Sequence, residues 1–295
     1  MHRLVQAITL AQVSAEVAGQ WQQAAAALIE AALPDNPREP ADWPKFAALL
    51  PHARAVLGLT SGGVGRIARY LGHSGSYRAA RDLWQEIVAA HSDDEVYGSK
   101  HRGTLVALAD LAFWAGWAGD ADGARDQLAA LLPEFKRDLG AEDPDTLTTW
   151  HYLAHWTGAT GDAAGARKQC AELLPIQERV LGAEHPDTLD TRGDLAHWTG
   201  ATGDAAGARK QCAELLPIRE RALGPEHPNT LTTRGNLAHW TGEAGDAAGA
   251  RDQYAALVPV RERVLGTGHS DTLTTRANLA YWTEAAGGDA EPGVN

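Results

Sequence analysis

Apolar residues recur along most of the chain at the three- and four-residue spacing that is typical of amphipathic α-helices. In the segment that follows His185, one helical face is formed by Leu189, Leu195, Ala196 and Trp198. A second stripe with the same spacing follows after a short break and contains Cys212, Leu215 and Leu216. The pattern therefore predicts two helices joined by a tight turn.

Polar and glycine residues mark the predicted ends of these two helices. His185 occupies the cap position of the first helix, and Pro186 suits a first helical turn, where its missing N–H costs nothing. Gly200 and Gly203 are expected to end that helix, and Asp204 is a good N-cap for the second. The unit is therefore a helix-turn-helix with defined boundaries.

The same signals return at a fixed step of 42 residues. Motifs related to His-Pro-Asp-Thr-Leu begin at His101, Asp143, His185, His227 and His269. A tryptophan column keeps the step at Trp114, Trp156, Trp198, Trp240 and Trp282. Residues 155–176 recur unchanged as residues 197–218, which indicates duplication. Such a period predicts an all-α array whose units bury their faces on one another, whereas propeller strands do not fit helical spacing and helix caps.

The chain divides into an N-terminal segment, an array and a tail. Residues 1–58 are predicted to be a helical segment, in which Ser14 caps a helix and Pro34, Pro37, Pro40 and Pro44 form a rigid loop. Residues 59–100 form a degenerate repeat, and residues 101–287 form the regular array, whose last repeat lacks its second helix. Residues 288–295 are predicted to be a disordered tail.

The composition excludes several classes of function, but it points to no particular reactive or binding group. The formal charge of −12 argues against a nucleic-acid backbone as the main ligand. No apolar run of membrane length and no signal peptide are present, so a cytoplasmic setting without membrane contact is expected. Cys170 and Cys212 share one repeat column and are predicted to be small core residues, since a zinc site needs about four ligands. No cofactor and no metal are expected.

At these residues the chain resembles tetratricopeptide repeats. Leu195-Ala196, Gly203 and Ala208 stand at the spacings of that motif. The 42-residue step, with Leu181-Gly182 closing one unit before the next motif, resembles the kinesin-light-chain type over about residues 59–287. A tyrosine common in the family is replaced by Thr157, Thr199 and Thr241. The resemblance implies a right-handed α-solenoid that recognises a protein or peptide on its concave surface without catalysis.

The resemblance also implies which positions line that surface. Carried over to this chain, they include Asp110, Phe113, Tyr152, His155, Asp194, His197, Asn236, His239, Asn278 and Tyr281. The asparagines are expected to hold a ligand backbone, and the histidines and aromatic residues to stack on it. The alternative is a solvated ladder copied by duplication without any ligand. Catalysis is not expected, because acids and histidines fall in repeat columns and form no unique constellation.

Two further columns have structural and functional interpretations. The tryptophans are predicted to be core residues, the alternative being an aromatic ligand platform. Arg192, Arg234 and Arg276 are expected to lie at repeat junctions and pair with nearby acids, the alternative being an anion site.

A second resemblance concerns the N-terminal segment. Residues 2–7 and Trp43 to Ala53 are similar to actinobacterial signalling ATPases of the STAND class, which have an NB-ARC domain. No phosphate loop is present in this chain. The resemblance implies the sensor or regulatory arm of such an ATPase, with an NTPase domain in the same or another chain as partner. The alternative is a free-standing adaptor that self-associates through an uncapped C-terminal end.

Overall fold

The structure, a computed structural model, describes residues 14–93 and 101–288. Within these residues it contains thirteen α-helices. They are α1 (Ala15–Ala32), α2 (Trp43–Val56), α3 (Gly62–His73), α4 (Tyr77–Asp93), α5 (Arg102–Trp117), α6 (Ala121–Asp138), α7 (Pro144–Ala159), α8 (Ala163–Val180), α9 (Pro186–Ala201), α10 (Ala205–Ala222), α11 (Pro228–Glu243), α12 (Ala247–Leu265) and α13 (Ser270–Gly288). The motif at residues 2–7 and the tail from residue 289 onward lie outside the described residues.

Successive helices pack as antiparallel pairs, and each pair packs on the next. The five pairs run from α3–α4 to α11–α12, and α13 packs on α12. The all-α repeat solenoid predicted from the sequence is therefore confirmed. Before the array, α1 and α2 pack on one another, and Phe46 of α2 stacks on Tyr70 of α3 with ring centroids 4.9 Å apart. Pro44 lies in the first turn of α2, not in the preceding loop as expected, because a first helical turn tolerates proline.

Side-chain caps fix the ends of the helices in the array. The first helices are capped by His101, Asp143, His185 and His227, each of which accepts a bond from the backbone N–H two residues on. The second helices are capped by Asp120, Asp162, Asp204 and Asp246. Gly203, with φ of +100°, follows α9 in a left-handed conformation that glycine adopts without strain. These predicted caps are confirmed.

Each tryptophan of the repeated column inserts against a glycine of the preceding repeat. Trp240 is only 6% exposed, and its ring lies where a Cβ on Gly200 would stand, at 2.6 Å. Gly200 therefore lies inside the last turn of α9 and does not end it, which corrects the expectation from the sequence. The same contact joins Gly116 to Trp156 and Gly158 to Trp198. The prediction that the tryptophans are core residues is confirmed, and each one joins two repeats.

The leucine that opens each first helix shows what a following repeat contributes. Leu189 and Leu231 are 0% exposed, whereas Leu273, in the same column on α13, is 51% exposed. The described part of the chain ends within α13, so no described helix covers this residue. The position of a leucine in the array therefore decides how much apolar area it buries.

Leu231→Ala is expected to destabilise the protein by about 3 kcal/mol, since a buried leucine leaves a cavity in the core. Leu273→Ala is expected to change the free energy of unfolding by less than about 1 kcal/mol, because water already reaches that side chain. Urea unfolding of the two variants provides the comparison. Equal losses at the two positions would contradict the burial difference.

The solenoid curls until its last described helix meets its first repeat. The hydroxyls of Tyr77 and Ser270 lie 3.2 Å apart. The ring of Trp43 stacks on His269 with centroids 6.3 Å apart. The first helices therefore surround an interior space that is narrow enough for contacts across it.

Candidate functional site

The first helices of the repeats line a concave surface that holds two adjoining cavities of about 260 and 210 Å³. We call this surface the central groove. The first cavity is lined by residues that include Arg69, Asp110, Thr148, Tyr152 and Asp187, and the second by residues that include His151, His155, Asp190, Asp194, Arg219 and Asn236. The loop that contains Asn36, Pro37 and Arg38 forms part of the wall.

Arg38 places its guanidinium between two aspartates of α9. Its Nη1 atom donates to Asp187 Oδ1 at 3.0 Å and to Asp190 Oδ2 at 3.4 Å. The Arg38 backbone N–H donates to Asn36 Oδ1, and Trp43 Nε1 donates to the Pro37 carbonyl, so the loop is held at both sides of the arginine. An arm of the N-terminal segment, residues 34–42, thus reaches into the central groove. No pattern in the sequence predicts this contact.

Asp190 also neutralises a buried arginine on the other side. Arg219, whose side chain is 4% exposed, donates from Nη2 to Asp190 Oδ1 at 2.8 Å. Asn229 Nδ2 donates to the same oxygen at 2.6 Å. The remaining Arg219 bonds go to the Leu189 and Asn229 carbonyls and to Thr233 Oγ1. Asp190 therefore contacts both the buried Arg219 and the Arg38 side chain in the groove.

Asp194 forms a second charged pair with histidines of the preceding repeat. His151 Nε2 lies 3.0 Å from Asp194 Oδ2, and His155 Nδ1 lies 3.7 Å from the same oxygen. Burial alone would raise the pKa of Asp194, but the hydrogen bonds from His151 and His155 outweigh it and hold that pKa well below its ordinary value. Burial opposes protonation of His151, yet the bond to Asp194 raises the pKa of His151 above its usual value.

An aromatic stack and a third ion pair meet at Tyr152, which lines both cavities. Phe113 and Tyr152 stack with ring centroids 4.0 Å apart. The Tyr152 hydroxyl donates to Asp110 Oδ1 at 3.4 Å, and Arg69 Nη2 donates to Asp110 Oδ2 at 2.6 Å. Asp110 is only 2% exposed, so its carboxylate supports the floor of the groove.

The tetratricopeptide repeat family model matches residues 145–211 and 194–262. These residues are tetratricopeptide repeats. No curated protein matches the chain significantly. Similar solved structures include the nearly identical repeats of a kinesin light chain candidate from Podosopora anserina, with 24% identity, coverage of 68% of this chain and 93% of that chain, and a TM-score of 0.52.

Two other solved structures share the fold of these tetratricopeptide repeats. BtubC (BKLC) from P. vanneervenii has 18% identity, covers 76% of this chain and 88% of its own, and has a TM-score of 0.54. NprR in complex with its cognate peptide NprX has 10% identity, covers 99% of this chain and 79% of its own, and has a TM-score of 0.62. At these identities the similarity concerns the fold.

The structure brings together only part of the predicted binding set. Asp110, Phe113, Tyr152, His155, Asp194 and Asn236 line the two cavities. His197 and His239 set their rings edge-on against the tryptophans that follow them, as His155 also does. Asn278 donates to the Tyr254 hydroxyl at 3.2 Å, and Tyr281 is 59% exposed on α13. The central repeats therefore carry the candidate site.

The arginine column of the array has a structural role, as predicted. Arg192, Arg234 and Arg276 each pair with a glutamate of the preceding helix, at 2.5 to 2.7 Å. These pairs tie each first helix to the second helix of the repeat before it. Cys170 and Cys212 are free and buried in the core, also as predicted.

Sequence reasoning missed Arg38, Asp187, Asp190 and Arg219. One signal was available for Asp190, because the equivalent positions in neighbouring repeats are Thr148, Thr232 and Thr274. A single carboxylate in a threonine column is unusual for a duplicated array. For Arg38 the sequence offers only a proline-rich loop.

The described residues contain no group of three or more metal-ligating side chains. None of the helices described is both long and apolar enough to cross a bilayer.

The His151–Asp194 pair is expected to stabilise the protein below neutral pH. The folded pKa of His151 is raised, so its contribution is complete below about pH 6.5 and is lost as pH rises through the folded value. The folded pKa of Asp194 is lowered, so its contribution persists above about pH 4. The free-energy difference between the wild type and His151→Gln, from urea unfolding, should therefore be larger at pH 5.5 than at pH 8.5.

His197→Gln is the matched control for this pH dependence. Burial lowers the pKa of His197, so the contribution of His197 to stability is lost as pH falls. The difference in unfolding free energy between the wild type and His197→Gln should therefore be smaller at pH 5.5 than at pH 8.5. The same sign for both histidines would contradict the assignment.

Proposed function

We propose that the chain is a non-catalytic scaffold whose central groove binds an extended segment of a protein or peptide. The observation that carries this proposal is that a segment of the chain itself already lies in the groove. Residues 36–38 of the chain itself lie against the groove, with Arg38 hydrogen-bonded to α9. A surface that accommodates this polypeptide in cis has the shape and the polar groups to accommodate one in trans.

The chemistry of the groove suits a polypeptide ligand. Carboxylates of α9 offer acceptors, while the stacked rings of Phe113 and Tyr152 offer an apolar face. Asn236 lines the second cavity and presents an amide, which both donates and accepts hydrogen bonds and can therefore pair with a ligand backbone. Few of these groups are completely buried, so a ligand can reach them.

Structural neighbours support the same proposal. NprR was solved with its cognate peptide NprX, and a Rap protein was solved with the competence and sporulation factor. The Rap protein has 14% identity and a TM-score of 0.50, covering 83% of this chain and 70% of its own. These ligands belong to those proteins, and they support peptide recognition as a use of this fold.

Selection from a displayed library of random extended peptides tests the proposal. Selected peptides are expected to bind the wild type and to lose about fivefold in affinity with Asn236→Ala, since one lost hydrogen bond is worth about 1 kcal/mol. Lys210→Ala is the matched control, because that side chain is 77% exposed on the outer helix α10. Peptides that respond equally to both changes, or none that bind, would overturn the proposal.

The wider setting is also a proposal. The resemblance of residues 43–53 to signalling ATPases favours a regulatory arm, and the in-frame coding sequence upstream of Met1 tests it, since a phosphate loop there would support it. Exposed Leu273 and Tyr281 on α13 favour self-association as the second candidate. A mass that stays monomeric in light scattering at high concentration would count against that candidate.

A further inference from the structure

The contact between Arg38 and the two aspartates of α9 is one that another ligand could replace. Its guanidinium uses one nitrogen, Nη1, for both aspartates, and the longer of the two distances is 3.4 Å. A planar guanidinium can make two parallel bonds to one carboxylate, and that bidentate form is the stronger one. Arg38 is also 30% exposed, so water competes for it. The pair is therefore weaker than the groove could make with an unconstrained arginine.

Divergence between the two duplicated repeats points to the same place independently. Residues 141–182 and 183–224 differ at seven positions: Asp143/His185, Thr148/Asp190, Trp150/Arg192, His151/Gly193, Tyr152/Asp194, Gln177/Arg219 and Val180/Ala222. Four of these pairs contribute side chains to the walls of the two cavities. The groove is thus where the copies have become different, whereas residues 155–176 and 197–218 are the same.

Two of the differences place new carboxylates in the wall, and a third places Arg219 beside them. Thr148 and Tyr152 of one copy correspond to Asp190 and Asp194 of the next. His151 neutralises Asp194 from across the repeat boundary, and Arg219 takes one oxygen of Asp190. The free face of Asp190 and the carboxylate of Asp187 remain for a cation, and Arg38 lies there.

We infer that the central groove is a receptor for an arginine-bearing segment of a protein partner and that residues 34–42 occupy it in cis until such a segment displaces them. This inference rests on the proposed peptide-binding function and adds the chemistry of the ligand. Arginine is specified over lysine because its fork can engage Asp187 and Asp190 together, whereas an ammonium is a point charge. The arm is a competitor tethered to its own receptor.

The covalent link between residues 34–42 and the rest of the chain determines how strongly they reduce the apparent affinity of a ligand. A ligand that must displace an occupant binds with its intrinsic affinity reduced by the fraction of time for which the groove is empty. If the arm fills the groove about nine-tenths of the time, removing the arginine raises the apparent affinity about tenfold. Such occupancy is realistic for a weak contact, because short tethers give effective concentrations of about millimolar.

The test uses N-acetyl-arginine methylamide, which carries one guanidinium between two peptide bonds, with calorimetry on the full chain. Arg38→Ala protein is expected to bind this probe saturably, and wild-type protein at least about tenfold more weakly. The lysine counterpart of the probe should bind Arg38→Ala at least about tenfold more weakly than the arginine probe. Asp187→Asn in the Arg38→Ala background should weaken binding further.

Asp187 is chosen for this step because, among the side-chain partners described, it serves Arg38 and not the buried Arg219. Circular dichroism and the melting temperature establish that each variant is folded. Equal binding by the wild type and Arg38→Ala, equal binding of the two probes, or no binding to Arg38→Ala would each overturn the inference. Groove-dependent library peptides obtained alongside any of these results would leave the proposed function standing. Library peptides indifferent to Asn236→Ala would overturn the proposed function itself.

Discussion

Gly200→Ala is expected to destabilise the protein by about 3 kcal/mol, although it adds one methyl group to a helix. The new Cβ would lie 2.6 Å from three ring atoms of Trp240, and a buried indole has no free space to retreat into. The ring belongs to the next repeat, so the clash acts on the junction between two repeats. Urea unfolding followed by circular dichroism gives the free energy of unfolding.

A double-mutant cycle with Trp240→Ala isolates the contact. Trp240→Ala alone is expected to cost about 4 kcal/mol, because it removes a buried indole and leaves a cavity. In that background Gly200→Ala should be neutral or should stabilise by up to about 1 kcal/mol, since alanine favours helix and the clash is gone. Additive losses in the cycle would show that glycine and tryptophan act separately.

Gly19→Ala provides the control for the helix effect. Gly19 lies inside α1, and a Cβ there would meet no atom within 4 Å. This change should stabilise the protein slightly or leave it unchanged. A loss comparable to that of Gly200→Ala would mean that helical glycines are needed for a reason other than the tryptophan column.

Asp190→Asn is expected to cost about 3 kcal/mol, the second large effect. The carboxylate is the acidic partner of Arg219, and a guanidinium that is 4% exposed loses its counter-charge when the acid becomes an amide. Because Asp190 itself is 19% exposed, water offsets part of the loss, so the value lies at the lower end of the range for broken buried pairs. Denaturant unfolding at neutral pH measures it.

Two other substitutions separate the structural role of Asp190 from its contact with the arm. Asp187→Asn touches only the Arg38 side of the cluster and should cost less than about 1 kcal/mol. Asp190→Thr recreates the next repeat, where Arg261 Nη2 lies 3.5 Å from Thr232 Oγ1, and should cost about as much as Asp190→Asn, because both variants remove the counter-charge of Arg219 and keep one oxygen acceptor. A severe loss with Asp187→Asn would contradict this division.

The sequence predicted the local architecture because the causes are local. A capping side chain accepts a hydrogen bond from a backbone N–H two or three residues further along the chain. His185 and Asp204 could therefore be recognised as caps from the order of residues in the sequence alone. The tryptophan and arginine columns followed from helical spacing, and both have the predicted roles. Gly200 was misassigned because its partner, Trp240, belongs to the next unit, and glycine near a helix end ordinarily marks the end.

The occupied groove could not be predicted in the same way. Whether Arg38 meets Asp187 depends on the curvature of the whole array, which sums small rotations between repeats that no short pattern encodes. The family resemblance supplied the columns expected to face inward, and two residues from those columns, Tyr152 and Asp194, line the second cavity. It could not select the position of Asp190, where one repeat departs from its own column.

The arm and its receptor are also separated in the time of their synthesis. Asp187 follows Arg38 by 149 residues, so a ribosome makes it roughly 7 to 30 seconds later at about 5–20 residues per second. The contact between Tyr77 and Ser270 spans 193 residues and is completed later still. Neighbouring helices can pair as they emerge, whereas these two contacts wait for most of the chain. During that interval the arm exists without its receptor, so a partner present in translation would meet the nascent groove together with a competitor that was made first.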